Sequence, residues 1–310
     1  MQALAERVDS ITGLPPIAAM TTDAERECYY RLTKEAAPKG AIVELGAWMG
    51  ASTAYIAAGM RDSTGGKVHV YDQFVSKAGH IGKVQAFYDK LGLDKAPVGP
   101  SLEAFKDNLG PLLQFVEPHQ GKIEQMQWGD ESIALLVTDA PKRVPAISSV
   151  LTKLRNALQP GAIMAWQDFC HFPSYEIPAC LYRLRDHLEF VEAVVPGTTL
   201  VFRVKSQWNL AEVTPTVLAL SRWTPDEIAD AWDYWFDFVP GEKRALFSCG
   251  AAMFSCDIGQ PSHGADLLAQ NYVANAEAIL PKWRYLKEAR PDFLTRYAPL
   301  FAYLGSNGAI

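Results

Sequence analysis

Two carboxylates and a lysine carry the first chemical suggestion in this 310-residue chain. Asp139 closes the apolar run Leu135-Leu136-Val137-Thr138-Asp139-Ala140-Pro141-Lys142, and Asp168 closes a second, Ala165-Trp166-Gln167-Asp168-Phe169-Cys170-His171. In open α/β sheets ligands sit outside the carboxyl ends of the strands, so Asp139, Lys142 and Asp168 are expected to face one site. Two carboxylates there repel unless something positive joins them. A hard cation such as Mg2+ would do so through oxygen ligands and water, with Asp139 and Asp168 as its protein ligands. The plainer arrangement is a salt bridge between Asp139 and Lys142 at a helix N-terminus, where an acid is favoured anyway. His171, beside Phe172 and Pro173, could be a ligand, a second base or a packed loop histidine. His69, His80, His119, His187 and His263 show no ligand spacing. No GxSxG elbow or Cys–His signature stands out, which leaves covalent hydrolysis without support.

A second constellation lies upstream, in Val43-Glu44-Leu45-Gly46-Ala47-Trp48-Met49-Gly50-Ala51-Ser52-Thr53. Two glycines four apart let a strand turn sharply and bring backbone close to a ligand. A helix starting near Ser52 would aim free N–H groups at the same spot, suited to an anion. The spacing is not the GxGxxG of a pyrophosphate-binding dinucleotide fold. The next strand, Val68-His69-Val70-Tyr71-Asp72, ends in an acid that could accept both hydroxyls of a ribose.

Glu44-Leu45-Gly46-x-x-x-Gly50-x-Ser52 followed by Asp72 resembles the class I S-adenosylmethionine-dependent methyltransferases. The motif is most similar to that of catechol and caffeoyl-CoA O-methyltransferases, and later segments resemble the macrocin O-methyltransferases that modify sugars of natural products. The resemblance spans about residues 40–206. It implies S-adenosylmethionine as cofactor, with Glu44, Gly46 and Gly50 flanking its methionine part beside Ser52, and with Asp72 on the ribose. Trp128-Gly129-Asp130, at the end of an expected third strand, would put Gly129 and Asp130 by the adenine. In the catechol and caffeoyl-CoA enzymes an Asp-x-x-Lys and a following Asp-Asn supply metal ligands and a lysine general base. Asp139, Lys142 and Asp168 match three of those four positions, which implies Lys142 as base. Phe169 stands where the Asn is expected, and Gln167-Asp168-Phe169 also departs from the Asp-Asp-Tyr of the macrocin group; Gln167 or His171 could complete a metal site.

The elements that must position these residues are short β-branched runs alternating with helical stretches, the pattern of an α/β sheet. Strands are expected at Ala41–Ala47, Lys67–Phe74, Lys122–Trp128, Ile133–Asp139, Ala162–Phe169, Val191–Val195 and Thr199–Val204. Val195-Pro196-Gly197-Thr198 is too short for a helical crossover, so the last two strands must form an antiparallel hairpin. A helix is expected over Pro145–Leu158, from apolar residues at three- and four-residue steps. The fold class is therefore α/β: a doubly wound, mostly parallel seven-stranded sheet with an antiparallel last strand. After Lys205 the β signals vanish. Thr224-Pro225-Asp226-Glu227 reads as a capped helix start, and Lys243–Cys256 and Gly264–Leu286 as two further helices. The chain thus divides into an N-terminal helical segment over 1–40, a cofactor-binding domain over 41–206 and an all-helical C-terminal domain over 207–310. Segments Ala18–Tyr30 and Val75–Pro118 could supply a lid, by position alone.

Composition bounds the partners. Hydrophobic residues make up 49% and charged residues 21%, an ordinary globular mixture that excludes disorder, collagen and coiled coil. No apolar run approaches the roughly 18 residues of a membrane span, and MQALAERVDS lacks the apolar core of a secretory signal. The net charge of −6 and the lack of a Lys/Arg patch argue against nucleic acid. Five scattered cysteines without CxxC pairing read as reduced thiols in a cytoplasmic protein. The expected partner is a small-molecule acceptor carrying a hydroxyl, with a homodimer through the helical domain also open. A nucleotide-dependent oxidoreductase and a non-catalytic scaffold are the rival readings. The glycine spacing weighs against the first, and an intact Asp-x-x-Lys beside cofactor residues weighs against the second.

Overall fold

The computed structural model describes residues 8–77, 79–93 and 98–306. The first seven residues of the expected N-terminal segment lie outside it, as do a few positions of the 75–118 connection. Seven strands run in chain order as β1 Ala41–Leu45, β2 Val68–Asp72, β3 Val116–Gln120, β4 Ile133–Thr138, β5 Ile163–Trp166, β6 Leu188–Ala193 and β7 Leu200–Val204. They form one sheet in the order β3-β2-β1-β4-β5-β7-β6. Only β7 is reversed, pairing antiparallel with both β5 and β6. This is the expected doubly wound class I arrangement with one reversed strand.

One strand differs from expectation. Lys122–Trp128 is a 3₁₀ turn over Ile123–Gln125 followed by a loop, and the third strand is the earlier segment Val116–Gln120. That segment holds Pro118 and three polar residues, a poor strand pattern. It survives because β3 is the sheet's edge, where a missing N–H costs no ladder bond. The first hairpin strand also begins three residues earlier than expected, at Leu188.

Among the described residues six helices and the sheet build the N-terminal two-thirds: α1 Asp23–Ala36, α2 Ala51–Arg61, α3 His80–Lys90, α4 Leu102–Leu109, α5 Val144–Lys153 and α6 Glu176–Tyr182. The 75–118 connection is thus mostly ordered structure, holding α3, α4 and the start of β3. Along each central strand alternate residues point to opposite faces. Ile42, Val68, Val70, Leu135 and Val137 pack against α1, α2 and α4. Val43, Leu45, Leu136, Met164 and Trp166 pack on the other face, with α5 and the C-terminal part of the chain.

The C-terminal helices belong to that second core. They are α7 Pro215–Leu218, α8 Pro225–Phe236, α9 Gly241–Asp257, α10 Pro261–Ala289, α11 Pro291–Arg296 and α12 Ala298–Ser306. Thr224 caps α8 as expected: its hydroxyl accepts from Glu227 N at 3.2 Å while Glu227 accepts from Thr224 N at 2.9 Å. One apolar cluster runs from Trp166 and Phe202 of the sheet through Trp235 and Phe247 to Trp283 and Leu304. The Trp235 indole donates to Pro178 O at 2.9 Å. Residues 207–306 therefore close the sheet's second face and share its core. Among the described residues no helix is long and apolar enough to cross a membrane.

Candidate active site

β1 is buried along its whole length and delivers Glu44 and Gly46 to the carboxyl edge of the sheet. Gly46 has φ 94°, and a Cβ there would lie 2.8 Å from Ala140 N. Only glycine lets the loop after β1 lie this close to the loop after β4. Gly50, at φ 90°, precedes the first turn of α2. Between them Trp48 takes the left-handed φ of 50° without being glycine, and its indole N–H is buried with no hydrogen-bond partner.

Glu44 does not face outward. Its carboxylate is buried and accepts from the Ser52 and Thr53 hydroxyls at 2.6 and 2.5 Å. Burial pushes its pKa up to about 7. Ser52 is thus engaged in holding Glu44 against α2. Asp72 stands where the sequence put it, at the end of β2. One oxygen accepts from Ala47 N and Trp48 N at 2.7 and 3.1 Å, and the other from Phe74 N at 2.6 Å. The acid therefore fixes the glycine turn while sitting at its rim.

Gly129 and Asp130 do not close a strand; they lie in the loop between the 3₁₀ turn Ile123–Gln125 and β4, because the third strand is the earlier segment Val116–Gln120. The actual β3 runs out through Gln120 into Gly121, and Gly121 N donates to Asp72 O at 2.9 Å.

The acid–lysine cluster is assembled as expected. Asp139 N and Ala140 N both donate to Leu45 O, at 2.8 and 3.0 Å, which sets Asp139 directly beside the glycine turn. Gly46, Ala47, Trp48, Ser52 and Asp139 line one small cavity of about 20 Å³ together with Ala19, Met20 and Thr21. The Lys142 ammonium reaches Asp139 Oδ1 at 2.8 Å and is also hydrogen-bonded to Asp168 Oδ2. Asp168 holds this position with φ 59°, a strained conformation costing of order 1–3 kcal/mol in a non-glycine residue. Its other oxygen accepts from Thr198 Oγ1 at 3.2 Å.

Electrostatics sorts the members of the cluster. Burial is the largest influence on each, and for Lys142 it favours the neutral form. The two adjoining carboxylates overcome it and raise the ammonium above its usual range. Burial lifts Asp139, and its two neighbouring charges oppose each other. Burial also works against ionised Asp168, but Lys142 and His171 beside it bring it below its usual value. Desolvation lowers His171, whose Nδ1 lies 3.7 Å from Asp168. The two carboxylates thus favour the charged form of Lys142, which weighs against the proton-accepting role implied for it. The plainer salt bridge is present too: Lys142 pairs with Asp139 just before α5, whose first N–H, that of Val144, donates to Glu176 at 2.6 Å.

Mg2+ fits this arrangement poorly. Both carboxylates already share an ammonium, which a cation would have to displace. Phe169, in the position of the expected Asn, is fully buried against Phe202, Trp235 and Phe247. Gln167 is buried beside Tyr29, whose hydroxyl lies 3.4 Å from Gln167 Oε1.

Sequence reasoning missed the residues that hold the N-terminal segment over the site. Glu25 is buried, accepting from Thr198 N at 2.9 Å and Thr199 Oγ1 at 2.8 Å, while its second oxygen caps α1 through Thr22 N at 2.9 Å. A Cβ on Gly197 would strike the Glu25 carboxyl at 2.8 Å. The Thr22–Glu25 spacing is a capping box, so the helix start was readable. Its second duty, clasping the β6–β7 turn, was not. A larger cleft of about 1030 Å³ opens beside the small cavity, between segment 8–27, α2 and the end of α3.

Residues 43–169 match the family described as a methyltransferase domain, a stretch that covers less than half of the chain. Solved structures resemble the chain weakly. The O-methyltransferase NovP shares 17% identity, covering 61% of this chain and 82% of that one at a TM-score of 0.47. A protein from Corynebacterium glutamicum shares 13%, covering 64% and 85% at 0.39. Cofactor-bound Rv0187 from MTB shares 14%, covering 66% and 90% at 0.38. No curated protein matches. Overlaps this low carry no argument about chemistry, so the assignment rests on the domain match and the strand order.

Proposed function

We propose that this chain, whose residues 43–169 match a methyltransferase-domain family, transfers the methyl group of S-adenosylmethionine to a hydroxyl of a small sugar or natural-product acceptor. The observation that supports this most is the contact of the two half-sites. The backbone bonds of Asp139 and Ala140 to Leu45 bring the acid–lysine cluster against the glycine turn, as transfer between two bound molecules requires.

When bound, the cofactor supplies an electrophilic methyl on a sulfonium. Binding and proton removal fall to the chain. Asp72, at the rim of the turn, would accept ribose hydroxyls. The first turn of α2 offers N–H groups to a carboxylate, and the partnerless Trp48 indole N–H in the same cavity is a further donor.

The proton from the acceptor goes to His171. Its imidazole is lowered from the usual 6.5 and is neutral at physiological pH, about half exposed, and adjacent to the cluster. Lys142 orients Asp139 and Asp168 and places positive charge where the acceptor oxygen becomes negative. The scheme routes nothing through a divalent cation, because the donors present suit the ammonium.

The test is calorimetry with S-adenosylhomocysteine, followed by a mass-shift screen of hydroxylated acceptors with deuteromethyl cofactor. Saturable binding and a trideuteromethyl adduct on oxygen are expected. Absence of cofactor binding would overturn the reading, and an adduct on nitrogen would reassign the acceptor class.

A further inference from the structure

Far from the acid–lysine cluster, the pairing of β2 with edge strand β3 gathers three side chains that the chain order keeps apart. The register sets His69 opposite Glu117 and Tyr71 opposite His119. Glu117 and His119, two apart on one strand, point to the same face, which is the face His69 occupies on β2. His69 Nδ1 and His119 Nε2 are 3.2 Å apart. Glu117 oxygens lie 3.8 Å from each of these nitrogens. Among the described residues this is the one group of three histidine, cysteine or acidic side chains whose ligand atoms converge.

We propose that His69, Glu117 and His119 form a binding site for a first-row divalent ion of the zinc type. Two imidazole nitrogens at about 2.0–2.1 Å from a tetrahedral zinc are about 3.3 Å apart, and the nitrogens here stand at that separation. The carboxylate needs to close by only a fraction of an ångström. Neutral imidazoles with one carboxylate suit zinc, copper or nickel, whereas Mg2+ prefers an all-oxygen shell. The rings are also held in place. His119 stacks on Tyr71 at 4.4 Å between centroids, His69 meets the edge of Trp128 at 5.2 Å, and the Tyr71 hydroxyl donates to Gln127 O at 3.1 Å. The side chains keep 23%, 32% and 49% exposure for His69, His119 and Glu117, so an ion can enter and a water can complete the shell. His69 and Asp72 lie three apart on β2, so they point to opposite faces. The site is thus separate from the methyl-transfer reading. Its effect would be to clip the exposed edge strand to β2.

The experiment is a Zn2+ titration of the full chain after stripping with chelator, read by calorimetry and thermal melting, and repeated with Co2+ for its visible absorption. One equivalent should bind and raise Tm by several degrees, with Co2+ giving the intense bands of a four-coordinate centre. His69→Ala and His119→Phe, the latter keeping the stack on Tyr71, should each weaken binding at least about tenfold, since even indirect partners of a zinc site are worth 10–100-fold. Glu117→Gln, at an exposed position, should weaken binding without touching the fold. No saturable binding to the wild type would overturn the proposal. So would unchanged affinity in both His119→Phe and Glu117→Gln, since the ion would then sit elsewhere.

Discussion

The acid–lysine cluster and the histidine cluster are both groups of ligand-type side chains, one at the carboxyl ends of β4 and β5 and the other on the face of β2 and β3. They differ in where the positive charge comes from. Asp139 and Asp168 converge on a lysine three residues beyond the first of them, so their repulsion is relieved within the chain. His69, Glu117 and His119 converge with no lysine or arginine among their ion-pair partners. A pair of acids beside a lysine therefore reads as a metal site in the sequence yet closes on its own cation. A pair of histidines with no ligand spacing in the sequence becomes an open one.

The contrast can be broken most forcefully at His171. If Lys142 is a built-in cation, the acceptor's proton must go elsewhere, and His171→Ala should cut kcat by about 10²–10⁴ with cofactor affinity retained. The acid limb of kcat/KM should lie below the usual histidine value of 6.5, because desolvation disfavours the imidazolium. An acid limb at or above that value, or a silent His171→Ala, would remove the histidine from the scheme.

Lys142→Ala tests the cation itself. Leaving two largely buried carboxylates uncompensated costs about 3–5 kcal/mol in a dry interior. With Lys142 at 37% exposure, a loss of about 2–3 kcal/mol in urea unfolding is the discounted expectation. Mg2+ should restore part of that stability in the variant and none in the wild type, and chelator should leave wild-type turnover intact. Loss of wild-type turnover on chelation, recovered with Mg2+, would place the metal where the ammonium now stands.

Asp72→Ala should lower affinity for S-adenosylhomocysteine by tenfold or more, since each hydrogen bond to a charged group contributes about 1.5–3 kcal/mol. The loss of its bonds to Ala47 N and Trp48 N predicts some loosening of the turn as well. Unchanged affinity by calorimetry would mean the ribose is held elsewhere.

Glu44 gives an effect confined to one pH window, as a buried acid with hydroxyl partners and no adjoining cation. Its pKa is raised from 4.5 to about 7, so between those values the folded state holds a proton that the unfolded chain releases. Its contribution is fully present below 4.5 and is lost as pH rises through 7, at no more than about 1.4 kcal/mol per pH unit. Glu44→Gln should flatten that part of the stability profile. An identical pH profile in denaturant unfolding would show that Glu44 is ionised throughout.

Much of this protein was legible because the signals are local. The glycine turn, Asp72, the Asp139–Lys142 spacing, the reversed last strand and the Thr224 helix start each depend on residues within a few positions of one another. Gly46 is the clearest case, because a left-handed backbone beside another loop admits no side chain. Asp168 could be placed at a strand end, although nothing local announces its own left-handed φ. The third strand was misplaced because an edge strand tolerates Pro118, which leaves Gly129 and Asp130 in a loop rather than at a strand end.

The sequence by itself determined the alternation of strands and helices, the turn that a ligand can approach, and the set of charged residues at the strand ends. Tertiary structure decided which charges meet. It set Glu25 against Thr198 across more than 170 residues, paired Lys142 with both Asp139 and Asp168, and laid the C-terminal helices into the sheet's own core. It also brought His69 to within 3.2 Å of His119. The physical reason is common to all four. Turns and caps are governed by backbone sterics within a few residues, whereas the ionisation and partners of a side chain are set by whatever the packed fold places beside it.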